Sequence, residues 1–115
     1  PQSEGTLGRT PEQVTADSDM ARAWSSDEHV HDVVTLRAGE ETARLALEAD
    51  ALLRGAGVPV LVLLGGEDTV GAQQWSVAEE AAGVEVKSYP AGRHHLFHDV
   101  MRGEVIADLS AWLKS

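Results

Sequence analysis

The stretch AGRHHLFHD, residues 91–99, brings His94, His95, His98 and Asp99 into one short segment. Imidazoles at that density can bind a metal ion, because histidines four apart on a helix reach one centre. They can equally supply one base that moves protons while the others only stand nearby. Such a base needs a group to orient it, and an aspartate commonly does so. The stretch GGED, residues 65–68, offers Asp68 for that role.

Both segments follow stretches that read as strands. VPVLVLLGG (58–66) is continuously apolar, too short for a buried helix, and stopped by two glycines. It predicts a strand covered on both faces, central in a parallel sheet. VEVKSY (84–89) alternates, as a half-exposed strand near a sheet edge should. A helix is expected between them, from about Gly71 to Ala82, ending at Gly83. The resulting strand–helix–strand–helix unit is a right-handed parallel crossover. In open parallel sheets, sites form outside the carboxyl ends of the strands. If these strands are neighbours, roughly 4.8 Å apart, the GGED and AGRHH loops emerge side by side. Asp68 can then hydrogen-bond an imidazole, hold its tautomer and stabilise the cation formed on proton uptake.

In the last helix Val105, Leu109 and Trp112 form one apolar stripe, flanked by Ile106 and Leu113, and Asp99 stands where it can cap the first turn. That use of Asp99, with His98 at the junction of loop and helix, argues against a metal site built from His94, His98 and Asp99. No metal and no cofactor are expected.

Upstream, PQSEGTLGRTPE reads as loop, and Pro11 to Trp24 as one helix with Thr10 as cap and proline in the first turn. SSDEHVHD interrupts it, with His29 and His31 at the surface. A longer helix runs from about Leu36 or Gly39 to Arg54, with Leu45, Ala49, Leu52, Leu53 and Ala56 on one face and Glu40, Arg44 and Glu48 on the solvated one. The chain thus divides into a helical segment, residues 1–57, and an α/β segment, residues 58–115. At 115 residues it amounts to one domain at most. A strand as apolar as 58–64 needs partners on both edges, so the sheet is expected to continue in residues outside this chain.

Composition narrows the possible partners. The formal net charge is -10, without any lysine–arginine cluster, which excludes nucleic acid and anionic membrane surfaces as partners. No apolar run is long enough to cross a bilayer. Cysteine is absent, so thiolate chemistry and disulfides are excluded and the compartment stays open.

Three stretches, VPVLVLLGGEDTV, VEVKSYPAGRHHLFHD and EVIADLSAWLKS, resemble the α/β-hydrolase superfamily, in particular its monoacylglycerol lipase and lysophospholipase-like branch. In that family an apolar strand leads to a Gly-Gly-x-Asp turn bearing the acid, then a Tyr-Pro loop bearing the histidine, then a closing helix. The resemblance implies Asp68 as the acid and His94, rather than His95, as the base. Val70, two residues past the acid, is a candidate for lining a substrate pocket, with an ordinary packing role as the open alternative. His95 falls where the family often has glutamate, and His98–Asp99 where Asn-Glu is common. SSDEHVHDVVTLRAG with its following helix looks like the family's cap, which makes residues 1–57 a cap and connecting helix.

The family's nucleophile sits in a Gly-x-Ser-x-Gly elbow. None of the serines, at 3, 18, 25, 26, 76, 88, 110 and 115, has that flanking. The implied activity is therefore carboxylic ester hydrolysis on a small lipid-like substrate, with the serine supplied by a complementary N-terminal hydrolase segment upstream. Two other readings stay open. One is a catalytically inert binding or assembly partner. The other is a related hydrolase with an aspartate nucleophile, of the dehalogenase or epoxide hydrolase type.

Overall fold

The computed structural model describes residues 3–71 and 83–115. The elements run β1 (Glu4–Thr6), α1 (Pro11–Val14), α2 (Ser18–Ser26), β2 (Val33–Thr35), α3 (Leu36–Arg54), β3 (Val60–Gly65), β4 (Val84–Tyr89), a 3₁₀ turn (Leu96–His98) and α4 (Arg102–Lys114). The helix expected from Gly71 to Ala82 lies, past its first residue, outside the described residues.

β3 and β4 are parallel neighbours, in register from Val60 opposite Val84 to Gly65 opposite Tyr89. Gly83, at a φ of 80° that suits glycine alone, turns the chain into β4. Its carbonyl accepts the first ladder bond, from Val60 N–H at 2.9 Å. Among the described residues β3 has no second strand beside it, and Val60–Leu64 are half-buried. A small core closes the carboxyl end of the sheet. Tyr89, Leu96 and Val105 are buried there, with Leu63 and Met101 packed against them. Leu96 belongs to the histidine loop and Val105 to α4, so this core ties that loop to the final helix. The Tyr89 hydroxyl adds a 2.7 Å bond to Asp108 Oδ2 on α4. On the α4 stripe Val105 is buried, Leu109 and Trp112 half-buried, and the flanking Ile106 and Leu113 exposed.

Three expectations are corrected. Residues 4–6 are not loop: β1 pairs antiparallel with β2, Glu4 opposite Thr35. Asp32 stitches the end of this ribbon, accepting from the Thr6 hydroxyl at 2.7 Å and from Arg9 Nε at 2.9 Å. The single helix expected over 11–24 is two helices. Asp17 breaks it, because its Oδ1 caps α2 by accepting from Asp19 and Met20 N–H. Asp99 does not cap α4 with its side chain. The residue ahead of that helix is Met101, and Arg102 N–H bonds the Asp99 backbone carbonyl at 3.1 Å. α3 follows the expected span. Glu40, Arg44 and Glu48 are exposed as expected of its solvated face, and Arg44 bridges Glu41 and Glu48 at 2.9 Å each. Leu45 and Leu52 on its apolar face are exposed, whereas Ala49 and Leu53 are half-buried.

Candidate active site

The site begins where the ladder does not stop. Beyond the strand ends Gly66 N–H still bonds the Tyr89 carbonyl at 2.8 Å, and Glu67 N–H bonds the Gly92 carbonyl at 2.9 Å. The acid loop and the histidine loop are therefore zipped together by backbone. Glycine makes this approach possible. A Cβ on Gly65 would lie 2.5 Å from the carbonyl oxygens of both Gly92 and Arg93, and one on Gly66 would lie 2.6 Å from that of Pro90. Any side chain at 65 or 66 would push the loops apart.

That closure brings Asp68 to His94. Asp68 Oδ2 stands 3.0 Å from His94 Nδ1. The other oxygen, Oδ1, accepts from Val70 N–H at 2.7 Å and Gly71 N–H at 3.2 Å. An Asx-type turn thus fixes the carboxylate plane while one oxygen stays aimed at the imidazole. The Asp68 side chain is 9% exposed and that of His94 33%, so the acid is shielded and the ring is open to a reactant. Burial pushes the Asp68 carboxyl up. The His94 bond and the two backbone bonds outweigh this and hold it below the ordinary carboxylate value. An ionised carboxylate only accepts hydrogen bonds, so His94 donates from Nδ1, and in a neutral ring Nε2 is then the acceptor.

The histidine loop is held from its other side by residues 12–17. His95 N–H bonds the Val14 carbonyl at 2.8 Å, and His94 N–H the Gln13 carbonyl at 3.4 Å. Arg93 Nη1 reaches the carbonyls of Glu12 and Thr15 at 2.6 and 3.2 Å. The Thr15 hydroxyl donates to the His98 carbonyl at 2.8 Å. Asp99 is fully buried beneath, with Oδ1 accepting from Ala16 and Val100 N–H and Oδ2 from Arg93 N–H. Both its oxygens are engaged by backbone N–H groups, so the carboxylate serves to tie residues 93, 100 and 16 together. Burial pushes the Asp99 carboxyl up, and these bonds overcome that to leave it below the ordinary value.

Each residue singled out from the sequence thus has a place. Asp68 and His94 are brought together. His95 packs beside His94, ring centroids 5.2 Å apart, and burial foremost, then the neighbouring imidazoles, lower its basicity. A cleft of about 410 Å³ is lined by Leu63, His94, His95, Leu96, Phe97 and His98. Val70 lies elsewhere, in a hollow shared with Leu7, Arg9, Gln13 and Thr69, and meets the pair through its N–H bond to Asp68. Sequence reasoning missed Thr15 and Ala16, whose partners lie more than 80 positions away. Asp99 was noticed for the wrong contact. A lone buried carboxylate after a histidine loop carries no local signal of its long-range partners.

A parallel strand pair with an aspartate after one strand and a histidine after the next fits part of an α/β-hydrolase fold. Residues 1–101 match the family described as serine aminopeptidase, S33, and the chain belongs to that family of α/β hydrolases. No curated protein matches it. Among the described residues no helix is long and apolar enough to cross a membrane.

Proposed function

We propose that this chain supplies the acid and the base of a Ser-Asp-His triad that hydrolyses carboxylic esters, the serine coming from a hydrolase segment outside these residues. The observation that carries the reading is the 3.0 Å contact of Asp68 Oδ2 with His94 Nδ1, at the carboxyl ends of adjacent parallel strands in a chain of this family. In this mechanism Asp68 stays ionised and fixes the imidazole with its proton on Nδ1. Nε2 takes the serine proton as the oxygen attacks the ester carbonyl. The imidazolium, stabilised by Asp68, then protonates the departing alcohol, and the cycle repeats with water. Asp68 and His94 are the catalytic residues of this reading, and neither metal nor cofactor takes part. The small, lipid-like monoacyl ester of the monoacylglycerol lipase branch is the proposed substrate class.

The family's description supports a second reading, in which the acyl group is an amino acid and the bond an amide. Steady-state kinetics on p-nitrophenyl butyrate and on aminoacyl p-nitroanilides separates the two. Faster His94-dependent turnover of the butyrate ester supports the esterase. A kcat/KM that favours the anilides transfers the triad to peptide substrates.

A further inference from the structure

The backbone around His94 forms a closed circuit with a single side chain as its keystone. Starting at the Asp99 carboxylate, Oδ2 holds Arg93 N–H at 2.8 Å, and the chain passes to His94 and His95. Their N–H groups bond the Gln13 and Val14 carbonyls, and the chain passes on to Ala16. Ala16 N–H returns to Asp99 Oδ1 at 2.9 Å. Without the carboxylate the circuit opens at two N–H groups, one of them in the residue before His94. The imidazole is a third exposed, and the His95 ring that packs beside it belongs to the same loop. The aim of the ring on Asp68 therefore depends on where that loop's backbone is held.

We propose that Asp99 is a positioning residue for the base: it fixes the His94 backbone so that Nδ1 meets Asp68. It touches no reactant and acts only through Arg93 and Ala16. The inference rests on His94 being the base of the proposed triad, yet its test does not depend on turnover. Thr15 belongs to the same device, since its hydroxyl clamps the His98 carbonyl, accepts from Asp17 N–H at 3.0 Å and lies 3.4 Å from Asp99 Oδ1. An amide at 99 reproduces the shape but puts an NH₂ group against either Arg93 N–H or the Ala16 and Val100 N–H groups. One side of the circuit must therefore open.

The test compares wild type, Asp99→Asn and Leu109→Ala, the last a half-buried α4 residue that makes no hydrogen bond to the loop. Ring ¹⁵N shifts of His94, recorded on the full chain at mildly alkaline pH where imidazole is neutral, report which nitrogen carries the proton. The wild type should be predominantly the Nδ1–H tautomer. Asp99→Asn should shift population towards Nε2–H, while Leu109→Ala, though destabilised, should keep the wild-type ratio. In the hydrolase, Asp99→Asn should lower kcat on p-nitrophenyl butyrate roughly 10–100-fold, as a small misplacement does, with little change in KM. An unchanged tautomer ratio in folded Asp99→Asn overturns the proposal. If Asp99→Asn does not fold, Thr15→Val decides, with a smaller shift in the same direction expected and no shift overturning it. Wild type without His94-dependent turnover contradicts the catalytic reading alone, and the ¹⁵N shifts still decide the role of Asp99.

Discussion

Asp68 divides its two carboxylate oxygens between two tasks: Oδ1 is held by the N–H groups of Val70 and Gly71, and Oδ2 meets His94 Nδ1 at 3.0 Å. One group is thereby both anchored and aimed. In a hydrolytic triad this selects the tautomer that leaves Nε2 free.

Asp68→Asn tests that selection with little change in shape. An amide can keep the contact by accepting or by donating, and if it donates to Nδ1 the proton moves to Nε2. Esterase kcat should fall roughly 10³–10⁴-fold, with a modest fall in melting temperature at neutral pH. Stopped-flow or steady-state assays on p-nitrophenyl butyrate check this. A loss below about tenfold contradicts the orienting role.

The two glycines before the acid make a contrast with a third. Gly65→Ala sets a methyl 2.5 Å from two backbone carbonyl oxygens that have no room to move without opening the loop. It should destabilise the fold by about 1–3 kcal/mol and reduce turnover. Gly39, in the first turns of α3, has nothing within 4 Å of its would-be Cβ. Gly39→Ala should stabilise by up to about 1 kcal/mol and leave turnover alone. Urea denaturation of both variants is the measurement.

Tyr89 is the chain's one tyrosine, so its ionisation can be followed by absorbance without overlap from another. Burial first, then the Asp108 carboxylate that accepts its hydrogen bond, push the phenol well above its ordinary value of 10.0. Folded protein should show no tyrosinate as pH passes 10.0, and should then titrate with unfolding. The sign follows from a folded value above the unfolded one: the contribution is complete below 10.0 and is lost as pH rises. Titration at the ordinary value in folded protein would contradict the buried Tyr89–Asp108 bond.

Acid should act through the depressed carboxylates. Asp32 is lowered to about 2 by the Thr6 hydroxyl and Arg9, and Asp68 and Asp99 lie below the ordinary 3.8. Because the folded values are below the unfolded ones, their stabilisation is complete above 3.8 and is lost as pH falls towards 2. Thermal melts across that window should show a steep decline. Asp99→Asn should flatten it while lowering stability at neutral pH. A wild-type melting temperature level across the window would contradict the assignment.

The part of this architecture that was legible is local or periodic. VPVLVLLGG is apolar, too short for a buried helix and stopped by two glycines, VEVKSY alternates, and the two loops then emerge together, so Asp68 and an imidazole could be paired from spacing. Choosing His94 over His95 needed the family resemblance, since adjacent residues share one spacing. What was illegible depends on distant partners. β1 is a three-residue Glu-Gly-Thr segment with no strand preference of its own, and β2 makes it a strand. Asp17 and Asp99 are both aspartates near helix starts. The one that caps a helix is the one whose oxygens are not taken by backbone N–H groups of a distant segment. Ala16 and Arg93 turn Asp99 inward, and nothing local in the sequence announces them.

The central claim is that His94, oriented by Asp68, activates a serine lying outside these residues. The most direct test is the rate of fluorophosphonate labelling of the hydrolase, with the modified residue mapped by mass spectrometry. One labelled serine is expected outside residues 1–115, labelled far more slowly in Asp68→Asn and not detectably in His94→Ala. Labelling that survives His94→Ala at the wild-type rate, or an active wild-type hydrolase that takes up no label, would contradict it.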